Sequence, residues 1–157
     1  MALEVARETD PNLKRRRIEA LTARLPQWFG RPESNRHYAE QAEILEGWVA
    51  RRDGHDVGLL LVRRHAAVSA EIYWLGVEPD HHRAGVGRAL VEQVEGQLGK
   101  EGVRYLFVMT LHPDDPYEPY QRTRRFYESM GFTVVLSMDH GADRPPDDRL
   151  AYYLKLL

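Results

Sequence analysis

Apolar residues recur along this chain at two periods, and the switches between them mark out its elements. Leu3 and Val5 alternate with Glu4, which predicts a short first strand. Asp10-Pro11 then opens a helix, with Asp as cap and Pro at the first helical position. Its imperfect apolar stripe is Leu13, Ile18, Leu21 and Leu25, and Pro26 closes it. Trp28-Phe29-Gly30 is an aromatic loop, and Pro32 to Ala42 a second helix. Ile44 to Arg51 and Val57 to Arg64 predict strands joined through Arg52-Asp53-Gly54-His55, a strong hairpin signal. A third strand, Ala67 to Val77, continues the meander. From Gly87 to about Lys100 the period lengthens: Leu90, Val94 and Leu98 stand four apart, with Val91 on the same stripe.

The C-terminal third repeats the scheme. Tyr105 to Met109 is continuously apolar, as expected of a strand buried on both faces. His112 to Pro119 is a loop, and Gln121 to Met130 a helix that ends at Gly131, a favourable residue just past a helix. Phe132 to Met138 and Leu150 to Leu157 predict two last strands around a loop at 139–149. Because the final strand is apolar at the C-terminus, it is expected at a sheet edge, where it could pair with a second copy in a homodimer.

The chemistry concentrates at one junction. His82-Arg83-Ala84-Gly85-Val86-Gly87-Arg88 lies between the third meander strand and the helix that follows. A helix N-terminus carries unpaired backbone N–H groups and favours negative charge. Two glycines let ligand oxygens approach the backbone, and two arginines add charge. No Gly-Lys-Ser/Thr follows, so this is not a P-loop; Leu90 stands where the dinucleotide fingerprint has its third glycine.

With Val77-Glu78-Pro79 before it, this turn resembles the Gln/Arg-x-x-Gly-x-Gly/Ala signature of the GNAT superfamily of acetyl-CoA-dependent N-acetyltransferases, with His82 in the Gln/Arg position. A second family motif lies downstream. Phe126-Tyr127 and Gly131-Phe132 match, while Tyr120 and Thr123 replace the usual Asn and Ala. The order β-α-α-β-β-β-α-β-α-β-β is also that of these domains. The resemblance implies an α/β GNAT-like acyl-CoA N-acyltransferase fold, a mixed, mostly antiparallel central sheet flanked by helices, spanning 1–157 as one domain.

It also implies roles. Backbone amides from His82 through Arg83, Ala84, Gly85, Val86, Gly87 and Arg88 would hold the pyrophosphate of acetyl-CoA. Leu75 to Val77 would pair with the pantetheine arm, near which the family's Asn position, here Tyr120, also lies. Backbone donors near Val77 would polarise the thioester carbonyl. Tyr127 matches the general acid that protonates the departing thiolate. Glu71, eleven residues before His82, stands at an offset where some members carry a general base. It is equally readable as an exposed strand carboxylate. Period-2 alternation puts it on one face with Tyr73, Leu75 and Val77. The implied reaction is acetyl transfer to a primary amine of a small molecule or peptide. The alternative is a non-catalytic acyl-CoA sensing module of the same fold.

Composition narrows the setting. The 157 residues are 43% hydrophobic and 29% charged with a formal net charge of −2, which gives no nucleic-acid footprint. Cysteine is absent, so disulfides and thiolate catalysis are excluded. No apolar run reaches membrane-span length and no signal-peptide pattern opens the chain, so the expectation is a cytoplasmic protein without membrane association. His81, His82, His112 and His140 lack the spacing of a metal site, and none is expected. The run Lys14-Arg15-Arg16-Arg17 reads as a solvated helix face. Two sets keep two readings each. Trp28 and Phe29 are core residues or a wall of the acceptor site. The acids Asp114, Asp115, Glu118, Asp139, Asp143, Asp147 and Asp148 are solvated, or they attract a cationic acceptor such as a polyamine, an aminoglycoside or a lysine.

Overall fold

The structure is a computed structural model and describes residues 2–138 and 149–157. Seven strands form one sheet: β1 (Leu3–Glu8), β2 (Glu46–Arg52), β3 (His55–Ala66), β4 (Ser69–Val77), β5 (Tyr105–Leu111), β6 (Thr133–Met138) and β7 (Leu150–Leu156), in the order β1-β2-β3-β4-β5-β7-β6. Every neighbouring pair is antiparallel except β4 with β5. Four helices accompany it: α1 (Pro11–Arg24), α2 (Pro32–Ala42), α3 (Val86–Lys100) and α4 (Glu118–Ser129).

Local signals act where the sequence put them. Asp10 caps α1, its carboxylate accepting from the backbone N–H of Asn12 and Leu13. Asp53 and Gly54 both take positive φ, the two-residue turn that suits the twist of the β2–β3 hairpin. Gly131, at φ +94°, ends the last helix. α4 begins three residues earlier than expected. Pro119 looked like the end of a loop, but it sits in the first turn, where its missing N–H costs nothing.

The sheet separates two apolar clusters. One joins α3 and the end of α4 (Leu90, Val94, Leu98, Tyr127, Met130) to Leu60, Val62, Ile72 and Leu106. The other joins α1 and α2 (Ile18, Leu21, Ala39, Ala42) to Leu59, Leu61 and Trp74. The strand buried on both faces is therefore β3, whose residues Val57 to Val62 are all buried. β5 was expected in that role, yet Tyr105 and Met109 are exposed, so its burial alternates. The basic run on α1 is no solvated face either. Lys14 is buried with its Nζ donating to the Leu45 carbonyl, and Arg17 pairs with Glu8 and Asp56.

Two further expectations are corrected by pairing. β7 is not an edge strand: it lies between β5 and β6, bonded to both. The C-terminal strand therefore offers no free edge to a second copy. On β4, Ile72 pairs with Val62 and Trp74 with Leu61, so Tyr73 is an extra residue, a β-bulge. One extra residue reverses the faces beyond it. Leu75 and Val77 thus pack with Ala70 and Ile72 on the α3 side, not on the face of Glu71.

Candidate active site

β4 and β5 are hydrogen-bonded only from Ser69–Tyr105 to Ile72–Val108. Beyond that point β4 stays with β3 through Val77 and β5 stays with β7 through Leu111, so the two parallel strands part. A cavity of about 810 Å³ occupies this wedge, lined by Ile72 to Val77 on one side and Val108 to Thr110 on the other. Its size lies in the range of small-molecule sites.

The start of α3 closes one end. The first backbone bond of the helix runs from Ala89 N–H to the Gly85 carbonyl, so the N–H groups of Val86, Gly87 and Arg88 precede the ladder. Gly85 takes φ +80° and Arg83 φ +60°, which turns the chain sharply into the helix. A Cβ on Gly85 would meet nothing within 4 Å, so the backbone there is open to an approaching group. Arg83 and Arg88 line this end; Arg122 and Arg125 reach the cavity from α4, the Arg122 guanidinium lying over the Trp28 ring at 5.2 Å from its centroid. Guanidiniums beside a helix N-terminus suit a pyrophosphate. His82 also lines the cavity. Its Nε2–H donates to the Val77 carbonyl at 2.7 Å, tying the turn to the end of β4.

Tyr127 lies deeper. It lines the cavity while 4% exposed, edge-on to Phe126 and Phe132 with ring centroids 5.1 and 5.4 Å away. Burial pushes its phenol well above the usual tyrosine range, so the hydroxyl keeps its proton. Tyr120 is also at the cavity. Its hydroxyl donates to the Trp28 carbonyl at 2.7 Å, and burial, helped by Tyr38 and Tyr117, pushes its pKa up to about 12.

The other end is aromatic. Trp28, Phe29, Tyr38, Tyr73 and Trp74 line it, and Trp28 is held to α4 by Nε1–H bonds to the Pro119 carbonyl and Thr123 Oγ1. Trp28 and Phe29 pack against the α1–α2 cluster and also line the cavity. Tyr38, Tyr73, Trp74, Arg122 and Arg125 escaped the sequence reading. The bulge that turns β4 gave no periodic signal, and only the Arg122–Arg125 spacing on one helix face could have marked the last two.

Other expected residues lie elsewhere. Glu71 is buried but does not line the cavity; its carboxylate is bonded to His65 Nε2 at 2.9 Å, where β4 and β5 are still paired. Asp115 accepts from Tyr117 N–H, Glu118 pairs with Arg122, and Asp114 stands beside His112; none lines the cavity. Asp139, His140, Asp143, Asp147 and Asp148 lie outside the described residues. Among the described residues no group of three or more His, Asp or Glu side chains is placed to hold a metal ion, and no helix is long and apolar enough to cross a membrane.

Residues 44–134 match the model of the acetyltransferase (GNAT) domain. The chain belongs to the GNAT family. Its similarity to an uncharacterized N-acetyltransferase of Chlorobaculum tepidum is 36% identity over 92 residues, which is 59% of this chain and 52% of that protein. The chain thus spans about half the length of that curated relative. Among solved structures, a GNAT-family protein from Desulfovibrio desulfuricans superposes with a TM-score of 0.79 at 24% identity, covering 99% of both chains. A GNAT acetyltransferase from Elizabethkingia anophelis with acetyl-CoA bound superposes at 0.68 with 12% identity, covering 99% of this chain and 98% of that one. The seven-stranded, mostly antiparallel sheet with four helices is therefore the GNAT fold.

Proposed function

We propose that this GNAT-family chain transfers the acetyl group of acetyl-CoA directly to a primary amine. The observation that carries the reading is the wedge between β4 and β5 with the unladdered N–H groups of Val86, Gly87 and Arg88 at its end. A pyrophosphate fits that end, where the Gly85 backbone is open and Arg83 and Arg88 supply charge. Below it, Leu75, Gly76 and Val77 have no β5 partner and can bond an extended pantetheine arm as a strand would.

Acetyl-CoA supplies the activated acyl group; the chain's own residues orient it and manage protons. The amine nitrogen bonds to the thioester carbonyl carbon, the carbon–sulfur bond breaks, and the sulfur takes a proton. Tyr127 is the donor in this reading: it lines the wedge and burial keeps its hydroxyl protonated. Because Glu71 lies outside the cavity, we assign the amine's own proton to solvent reached past the exposed rim at His82, Arg83 and Arg88. Holding amine and thioester together supplies most of the acceleration. Both a transferase and a non-catalytic acyl-CoA sensor would bind acetyl-CoA, but only the transferase needs a protonated group buried in the wedge. The test is binding and turnover together. Acetyl-CoA should raise the melting temperature well beyond equal concentrations of ATP or NAD, and free CoA should appear when a suitable amine is added. Binding without release of CoA across a broad amine and peptide panel would leave the sensor.

A further inference from the structure

We infer that the acceptor is a small primary monoamine carried on an aromatic ring, an arylalkylamine, rather than a polycation; this rests on the acetyltransferase reading above. The aromatic end of the cavity is a continuous wall. Phe29 is stacked on Trp74, with centroids 5.0 Å apart and planes at 26°. It meets Tyr38 edge-on at 6.1 Å, and Tyr38 meets Tyr73 edge-on at 5.9 Å. Phe29, Tyr38 and Tyr73 are half-buried, so the wall keeps apolar ring surface turned to the cavity. A further ring extends such an array through the same offset and edge contacts.

Charge around the wall opposes a polycation. The Arg63 guanidinium already covers the Tyr73 ring at 4.3 Å from its centroid. The charge of Arg31 acts on both Tyr38 and Tyr120. Among the described residues, the fully ionised side chains lining the cavity are all arginines: Arg83, Arg88, Arg122 and Arg125. Among the described residues no Asp or Glu lines the cavity to pair a second ammonium, whereas a monoamine brings one charge and loses it before attack.

The experiment compares phenethylamine, tyramine, spermidine, kanamycin and an alanyl tripeptide as acceptors at saturating acetyl-CoA, by release of free thiol. Phenethylamine carries no indole, so its binding is also read as a change in the protein's tryptophan emission, to which Trp28, Trp48 and Trp74 contribute. The expected result is a kcat/KM for both aryl amines roughly tenfold or more above the others. Phe29→Leu stays apolar but removes the ring. It should raise KM for phenethylamine roughly fivefold to tenfold while kcat and the KM for acetyl-CoA stay near those of the parent. Tyr38→Leu, at the half-buried neighbour, should do the same if Phe29→Leu disturbs the loop. Spermidine, kanamycin or the peptide outrunning both aryl amines overturns the inference, as does an unchanged phenethylamine KM in both variants. If acetyl-CoA still shifts the melting temperature in those cases, only the acceptor class falls. If acetyl-CoA produces no shift in the parent, the transferase reading falls with it.

Discussion

Gly87 and Phe126 touch: a Cβ on the glycine would lie 3.2 Å from Cζ of the ring. The glycine of the first helical turn is therefore required by α4 packing across the cavity as much as by any ligand. Gly85 has a different reason, its φ of +80° in open space. The two should respond differently to alanine. Gly85→Ala strains a left-handed residue and should cost about 1–2 kcal/mol, read as a lower denaturant midpoint. Gly87→Ala gains about 1 kcal/mol of helix propensity against a displaced, half-buried ring, so stability should change little. Acetyl-CoA binding should weaken instead, because Phe126 can give way only by moving within the cavity it lines. Equal losses of stability in both variants would show that Phe126 does not set the Gly87 position.

The order of elements was legible because each rests on a local signal: the Asp10-Pro11 cap, the Asp53-Gly54 turn, the Leu90-Val94-Leu98 stripe. Neighbour relations across the sheet were not. Nothing in the apolar run of Leu150 to Leu156 says that it inserts between β5 and β6 rather than standing at an edge. The extra residue at Tyr73 is likewise silent, since a bulge is defined by the partner strand. Hence the Gly85 turn at the start of α3, built from contiguous residues, was legible, while Arg122 and Arg125 on α4 were not. The aromatic end, assembled from Trp28, Phe29, Tyr38, Tyr73 and Trp74 on three segments, was singled out only at Trp28 and Phe29.

Tyr127→Phe removes one hydroxyl from a site packed on Phe126 and Phe132, so acetyl-CoA affinity should barely change while kcat falls roughly 10²-fold. The same variant has a signature in stability. Burial raises the native phenol above its unfolded value near pKa 10. The folded state then holds a proton that the unfolded chain has lost, so stability is intact below about pH 10 and falls as pH rises further. Tyr127→Phe should flatten that alkaline decline, with Tyr120, pushed up to about 12, left to contribute its own share. A parent alkaline slope matched by the variant would mean that the Tyr127 ring is not shielded from solvent.

Arg83, Arg88, Arg122 and Arg125 give the cavity's outer end a positive field, and Arg88 and Arg122 are each shared with an exposed glutamate four residues away. Exposed charges at that distance are screened once the Debye length falls to about 10 Å at 0.1 M salt. The KM for acetyl-CoA should therefore rise several-fold from low to high salt, and Arg125→Ala should reduce the slope. The KM for an uncharged-ring monoamine should move little, because the acids Asp114, Asp115 and Glu118 do not line the cavity. A salt effect confined to the amine would reverse this assignment of the field.

Glu71 separates a base in the chain from a proton lost to solvent. Its carboxylate is held by His65 Nε2 at 2.9 Å, and it sits where β4 is still paired to β5, before the wedge opens. The bulge at Tyr73 stands between it and Leu75 and Val77, so the strand face that would have carried it to the thioester turns away. Glu71→Gln keeps the size of the side chain and can still bond His65. The variant should retain the acid limb of the parent's pH–rate profile at the same position, since that limb then reports the amine and not a carboxylate. Glu71→Leu leaves the exposed His65 ring to water and should likewise not move that limb. A limb that shifts or vanishes in Glu71→Gln, with acetyl-CoA binding preserved, would return Glu71 to the reaction as its base and require β4 to rearrange when the cosubstrate binds.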